Sequence, residues 1–475
     1  MIEETNNVQE KHLEKKLLPI NVWALAFGCI IGWGAFVMPG NTFLINAGPL
    51  GTIIAMMIAM VIMIIIANNY YYMINVYPMS GGEVVYTKNA FGKVHGFICA
   101  WFLSLSYLSI VPLNATALAL VGRSFFSSFF QIGFHYEVAN YDVYLGEVLL
   151  AVAVLVIIAY ISIRGVKIVG WIQTALTVIL IMGVLLVSLA ALLNPTIKFE
   201  NLLPLYYPDK NVVSGIFAVV AVAPWAFVGF DTVPQAVEEF HFSRRKSKAI
   251  LVLSIVFGGI VYIALNTVTA AVIPKEYETW VEYINISGQL EGIKALPTFY
   301  AAYELLGNIG LFFLGFSVLA AILSGIMGFY MATSRLLYAM AMEKILPTFF
   351  GRLHTKYKTP DRAILFILLV SIVAPFMGRT ALGWIVDMSS VGAAIGYGYT
   401  SAAAARYAWK NGNKGTVITG IMGVIFAVIF GVLLLIPIPG LSCMLGKESY
   451  VALLLWIVIG GAFFIIAKDK KNRED

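Results

Sequence analysis

The segment Ala26-Phe-Gly-Cys-Ile-Ile-Gly-Trp-Gly-Ala-Phe-Val-Met-Pro39 lies inside the first long apolar run of the chain, and its reading decides the rest. An apolar run of about 20 residues has the length of a helix crossing a bilayer. This one carries Gly32 and Gly34 near its middle and closes on Pro39 and Gly40. Glycine weakens a helix, and proline removes a donor from its ladder. Lipid supplies no replacement hydrogen bonds, so broken backbone at membrane depth survives only where it lines a cavity or is enclosed by protein. A helix broken near the midplane therefore points to a binding site. Small residues that let a neighbouring helix approach closely produce the same pattern, and the segment alone does not choose between the two.

The whole chain supports a membrane setting. Of its 475 residues, 60% are hydrophobic and only 12% charged, a balance foreign to soluble domains. A net charge of +6 would suggest nucleic acid in a soluble chain, but here the placement of the charges explains it. Cys29, Cys99 and Cys443 have no CxxC spacing, and neither a disulfide framework nor a metal site is expected. The charged first 18 residues, followed by an apolar run too long for an h-region, do not read as a signal peptide.

Twelve apolar spans follow, at about 19–39, 50–74, 97–123, 146–163, 168–193, 212–238, 249–273, 307–338, 362–377, 381–406, 415–436 and 449–467. With the N-terminus in the cytoplasm, 24 of the 31 Lys and Arg residues fall on the inner side and seven on the outer. The positive-inside rule then places both termini in the cytoplasm of a multi-pass protein of the cell membrane. The outer loop from Pro274 to Leu306, with five Glu among Trp280, Tyr283 and Tyr300, reads as partly helical and interfacial. The expected fold is an all-α integral membrane protein.

Span 6 repeats the anomaly of span 1. Pro224 and Gly229 bracket the middle of Ala223-Pro-Trp-Ala-Phe-Val-Gly-Phe-Asp231. Two interrupted spans in corresponding positions of two halves point to the central site of a transporter. Spans 1–5 and 6–10 would then form two inverted repeats, and the half-helix ends would hold the charged ends of a small substrate.

These residues resemble those of the amino acid–polyamine–organocation transporter superfamily over nearly the whole chain. Gly32-Trp33-Gly34 resembles its span 1 break. Tyr77-Pro-Met-Ser-Gly-Gly-Glu83, with Tyr86 and Phe91-Gly92, is similar to its loop after span 2. Trp225-Ala-Phe-Val-Gly-Phe-Asp231, with Glu238-Glu239, is similar to its span 6, and Ser334-Arg-Leu-Leu-Tyr-Ala-Met-Ala341, with Leu346-Pro347 and Thr359-Pro360, to the inner end of span 8. The resemblance implies a ten-helix core (residues 19–406, repeats about 19–193 and 212–406), two peripheral helices within 407–467, and cytoplasmic tails at 1–18 and 468–475. It implies secondary transport or exchange of an amino acid or related amine by alternating access, with discontinuous helices 1 and 6. It assigns the substrate carboxylate to backbone at Ile31, Gly32, Trp33 and Gly34. The amino group goes to carbonyls of Trp225, Ala226, Phe227 and Val228, with Trp225 as an outer lid and Phe329 facing the same cavity.

Several positions depart from that pattern. Trp33 replaces a small residue, so its indole either packs away or narrows the site. Glu83, at the cytoplasmic mouth, reads as a solvated acid or as an inner-gate partner of a Lys or Arg. Some relatives carry a coupling lysine in span 5; an ungapped match puts Leu180 there. Asp231 reads as a cap of the second half-helix or a coupling group, and Asp387 as a proton site or a packed polar anchor. Glu238 and Glu239 read as a gate or a solvated end.

Rival classes fit less well. The five histidines fall in tails or loops by these spans, so no haem pair is expected inside the bilayer, and no cofactor is indicated. Gly440-Leu-Ser-Cys-Met-Leu-Gly-Lys-Glu448 has too many residues between its glycines for a phosphate loop, and lacks the Ser or Thr after Lys. A channel or a non-transporting sensor or subunit with the same fold stays open. The expected partners are a small molecule, the bilayer and a coupling ion such as a proton or sodium; neither nucleic acid nor a partner subunit is indicated. The charge asymmetry yields a direct test. Single cysteines at Lys246 and Lys356 are expected to react only with reagent that reaches the cytoplasm, and one at Glu282 from outside; labelling of Lys246 from outside in intact cells would overturn the topology.

Overall fold

A computed structural model describes residues 13–126, 128–139, 141–438 and 445–471. Most of the two expected tails, and Cys443, therefore lie outside the described residues. The protein is an all-α integral membrane protein. The first span is split into α1 (Pro19–Ile30) and α2 (Gly34–Met38). It passes into α3 (Leu44–Val76), the short α4 (Glu83–Phe91), α5 (Lys93–Phe126), α6 (Leu145–Ile163) and α7 (Val166–Leu193). The sixth span is split into α8 (Val212–Val220), α9 (Ala223–Ala226) and two 3-10 turns, Phe230–Thr232 and Pro234–Glu239. Then come α10 (Ser247–Ala271), α11 (Trp280–Ile286), α12 (Pro297–Met342), α13 (Asp361–Val373), α14 (Gly378–Lys410), α15 (Lys414–Leu435) and α16 (Lys447–Lys471).

Among the described residues, ten helical runs are long and apolar enough to cross a bilayer. With the short α1 and the 33-residue α14 they account for all twelve expected spans. The outward faces of α6, α7, α13, α15 and α16 expose Leu149, Val156, Leu192, Leu369, Ile418 and Leu454, which in water would be a liability and in lipid is the solvated face. Inside this ring, α1, α3, α5, α10 and α12 carry most of the buried core.

Two local features differ from the sequence reading. Pro39 and Gly40 do not close the first span. Residues Pro39–Phe43 form a π turn in which the Leu44 N–H donates to the Pro39 carbonyl. The wider turn absorbs the misfit of the proline, and the helix runs on to Gly48, where φ of +71° makes the real corner. A Cβ there would sit 2.8 Å from the Tyr206 backbone, so both conformation and space demand glycine. Second, the α5–α6 connection holds an antiparallel hairpin, β1 (His135–Val138) with β2 (Tyr141–Tyr144), in a chain expected to be wholly helical. The loop before α12 is partly helical as expected, with Trp280 buried and its indole N–H on the Pro204 carbonyl at 3.0 Å.

The two broken spans meet at Gly229. Its φ is +139°, and a Cβ on it would lie 2.6 Å from the Ile30 amide nitrogen, so span 6 rests on span 1 backbone against backbone. Gly229→Ala is therefore expected to be more damaging than Gly229's few atoms suggest. It should lower the melting temperature of purified protein sharply, whereas an alanine at Gly412, which also has positive φ but open space around it, should cost only the backbone strain of about 1–2 kcal/mol. Equal tolerance at the two positions would show that the breaks do not depend on this contact.

Candidate functional site

The site begins with two carbonyls. In an unbroken helix the Ile30 carbonyl would accept from the Gly34 N–H, and the Ala226 carbonyl from the Phe230 N–H. Both instead face the Tyr262 hydroxyl of α10, at 3.2 and 3.1 Å. One buried phenol thus caps the ends of α1 and α9 together. On the far side of the first break, among the described residues, the N–H groups of Gly32, Trp33 and Gly34 have no acceptor, and α2 starts with Ala35 N–H on the Gly32 carbonyl. In span 6 the carbonyls of Phe227 and Val228 accept no backbone bond among the described residues. The first break thus leaves free donors and the second free acceptors.

Between them lies a cavity of about 160 Å³, roughly ten times what a single water needs. Gly32, Trp33, Gly34, Trp225 and Val228 line it, as the sequence suggested. Ile31, Ala226 and Phe227 do not: their side chains are fully buried in the surrounding core, and only their backbone belongs to the breaks. Trp33 does both things considered for it, packing on Phe299 with ring centres 6.2 Å apart while one face borders the cavity. Trp225 stands between this cavity and a second one of about 370 Å³, lined by Thr42, Asn46, Asp387 and Ser390. A Cβ on Gly34 would come within 2.3 Å of the Trp225 ring, so this glycine makes room for the indole. Gly32 faces Asn114 of α5, whose Oδ1 would be 3.2 Å from a Cβ there.

Phe329 is not in the cavity. It packs on Tyr107 at 5.7 Å, and the Tyr107 hydroxyl donates to Asp231 Oδ2 at 2.9 Å. Asp231 is no ordinary N-cap, because its Oδ1 accepts from the preceding Gly229 N–H at 2.7 Å and so stabilises the turn behind it. Asp387 is exposed into the second cavity rather than packed as an anchor. Glu83 is neither solvated nor ion-paired. The 3-10 turn after Gly229 and the body of α14 enclose it, and Gln235 Nε2 donates to its Oε2 at 2.7 Å while Oε1 has no partner among the described residues. Burial pushes its carboxyl well above the usual range, and the nearby Asp231 adds to the effect.

The other acids on this face are engaged. Glu239 is buried against Arg335 with contacts of 2.7 and 3.2 Å, Glu238 accepts from the Ser80 N–H at 2.9 Å, and Lys88 pairs with Glu343. Leu17, just ahead of α1, is bridged to Phe240, just after span 6, with His241 N–H on the Leu17 carbonyl at 2.9 Å. Removing one partner of a buried pair such as Arg335–Glu239 would leave an uncompensated charge inside, at a cost of about 3–5 kcal/mol, and these contacts close this face in the structure.

In α7, Leu180 is buried in the apolar core, while the polar links to the first span are made by Gly170, Gln173, Thr174 and Thr177, of which Gln173 also reaches α12. Gln173 Nε2 donates to Ser324 Oγ at 2.6 Å and to the carbonyls of Ala24 and Ser324 at 3.4 and 3.3 Å, tying α1 to α12 through a neutral amide. Gln173, Tyr262 and Asn114 all escaped the sequence reading, because nothing local marks a polar residue in an apolar span as facing a break rather than a neighbour.

A helical bundle with two apposed breaks around one cavity defines a membrane transporter rather than an enzyme. Residues 18–464 match the amino acid permease family, and the chain belongs to that family, within the amino acid–polyamine–organocation superfamily. It is similar to the branched-chain amino acid permease BcaP of Bacillus subtilis, at 24% identity over 83% of this chain and 79% of the relative. It is likewise similar to the methylthioribose transporter of Bacillus subtilis, at 24% over 81% and 80%, and to the large neutral amino acids transporter small subunit 2 of Rattus norvegicus, at 26% over 76% and 64%.

The Gly34–Trp225 contact separates two explanations of the glycine. If Gly34 only makes room for the indole, Gly34→Ala should impair ligand binding in the parent but cost little in a Trp225→Ala background. If substrate also approaches the Gly34 backbone, the loss should persist in both. Ligand-induced thermal shift on the four proteins of this cycle measures the difference.

Proposed function

We propose that the chain is a secondary active transporter or exchanger that carries an amino acid or related amine across the cell membrane by alternating access. The observation that carries this reading is the single cavity between two broken spans, with Trp225 dividing it from a second cavity. The free N–H groups at Gly32–Gly34 suit a carboxylate and the carbonyls at Phe227 and Val228 an ammonium, the two charges shared by all amino acids. Trp225 acts as a lid toward the outside, and the second cavity, with Asp387, is the outer vestibule. The sealed face at Leu17, Glu239 and Arg335 is cytoplasmic, in line with the 24-to-seven distribution of Lys and Arg. Residues 19–406 form the transporting core as two inverted repeats, with α15 and α16 peripheral. The relatives named above carry branched-chain amino acids, methylthioribose and large neutral amino acids by their descriptions, so an amino acid-like solute is the natural class.

Coupling is expected to need no lysine in span 5, because Gln173 provides a neutral link there. Asp231, Asp387 and Glu83 are the acids left to hold a coupling proton. Glu83 is enclosed while the inner side is shut, and its raised pKa means that the shut form binds the proton more tightly than a hydrated, open form would. Low pH therefore favours closure, and rising pH favours opening of the inner side.

Counterflow in liposomes tests the reading: preloaded amino acid should accelerate uptake of labelled amino acid, whereas a channel or a sensor would show no trans-stimulation. Exchange by the parent protein should rise with pH across the range above the ordinary carboxylate values, where a buried carboxyl with a raised pKa releases its proton. Glu83→Gln, which copies the protonated form, should be slow and nearly flat across that range while still binding ligand. A Glu83→Gln protein with the parental pH profile would remove Glu83 from the gate.

A further inference from the structure

The cavity between the breaks contains one charge, and it is positive. Arg379, in the first turn of α14, contributes its side chain to the wall, and no Asp, Glu or Lys does so. Its Nη1 donates to the Leu113 carbonyl at 3.2 Å and to Thr116 Oγ1 at 3.3 Å, both on α5. These two contacts hold the guanidinium in place without neutralising it. The remaining donors have no partner among the described residues, and the one titratable group acting on the guanidinium is the Tyr141 phenol. Glu147, the nearest acid in the adjoining crevice, is already held by Arg123 through both carboxylate oxygens at 2.6 and 2.7 Å.

We propose that Arg379 determines the specificity of the site by receiving the side-chain carboxylate of the substrate, so that acidic amino acids are preferred. The inference rests on the transporter reading above and deepens it. Three observations support it. The guanidinium carbon stands 6.0 Å from the centre of the Trp33 ring, and Trp33 is the central residue of the span 1 break. A ligand whose α-carboxylate lies on the N–H groups of that break therefore has a cation beside it for a second carboxylate. A guanidinium presents paired donors that match a carboxylate's two oxygens. Finally, a half-buried cation without a counter-charge is costly, and a closed lid would increase that cost unless the ligand supplies the charge.

The same geometry disfavours other amino acids. A leucine-like side chain would close the site over an unpaired guanidinium. A lysine-like one would place two cations together, so the arginine rejects as well as selects. The apolar walls formed by Val37, Ile110 and Leu113 suit a short methylene linker between the two carboxylates.

The experiment uses the purified full chain with L-glutamate, L-aspartate, L-glutamine, L-leucine and L-lysine as probes, read by thermal shift and by competition for uptake in liposomes. Glutamate or aspartate should bind best. Arg379→Gln should weaken both acids by about tenfold or more, as expected for loss of a charge-assisted pair, should leave glutamine nearly unchanged, and should strengthen leucine, because the unpaired cation that disfavours it is gone. Arg379→Lys should keep part of the preference, and ligand-free melting temperatures show that both variants are folded. A parent protein that prefers leucine or lysine overturns the proposal while leaving the transporter reading intact. So does an Arg379→Gln protein that loses all amino acids alike, since the arginine would then serve the α-carboxylate. Failure of every amino acid to bind or to be transported would remove the transporter reading itself, and this inference with it.

Discussion

The structure depends on the contact between Gly229 and Ile30, where two interrupted spans touch through their backbones. Everything around it serves to make broken backbone tolerable at membrane depth. Left-handed φ at Gly229 turns span 6 aside, and the absence of a Cβ brings it within reach of span 1. Tyr262 then occupies the two carbonyls the breaks would leave orphaned. An orphaned buried carbonyl costs about 1–3 kcal/mol; the hydroxyl has one proton, so the two ends share a bifurcated bond from it. On the reading proposed above, a ligand offering a carboxylate and an ammonium would satisfy the backbone groups left without partners at the two breaks.

Asp231 connects this centre to the closed face. It fixes the Gly229 turn from behind, is held by Tyr107, and lies near the enclosed Glu83. On the gating proposed above, movement of the second half of span 6 would open the face at Glu239 and Arg335 and hydrate Glu83, whose burial favours the neutral carboxyl.

The glycine-and-proline punctuation of an apolar run made both breaks legible in the sequence, because few other patterns are tolerated in lipid. The twelve spans were legible for the same reason. What the sequence concealed were distances between segments far apart in the chain. Gln173 ties α1 to α12, a link set by tertiary packing that nothing near it in the sequence marks. Glu83 looked like a loop residue after span 2, but α14 and the turn at Gln235 close over it. Pro39 looked like a terminator, yet a π turn carried the helix past it to Gly48. Arg379 counted only as an outer charge until the fold brought α14 beside Trp33.

The bridge between Leu17 and Phe240 is made by main-chain atoms: the N–H groups of Lys16 and Leu17 reach the Glu239 carbonyl at 3.0 and 2.9 Å, and His241 returns a bond to Leu17. A clasp of this kind is indifferent to which side chains flank it, because any residue but proline supplies the same donor. It is sensitive instead to chain length. The exposed Lys15 and Lys16 can drift while Leu13 and Leu17 stay fixed in the core, and gaining or losing one residue between Leu17 and Asn21 would shift the pairing or rotate α1 by about 100°. At the exposed positions length, not identity, is thus the heritable constraint.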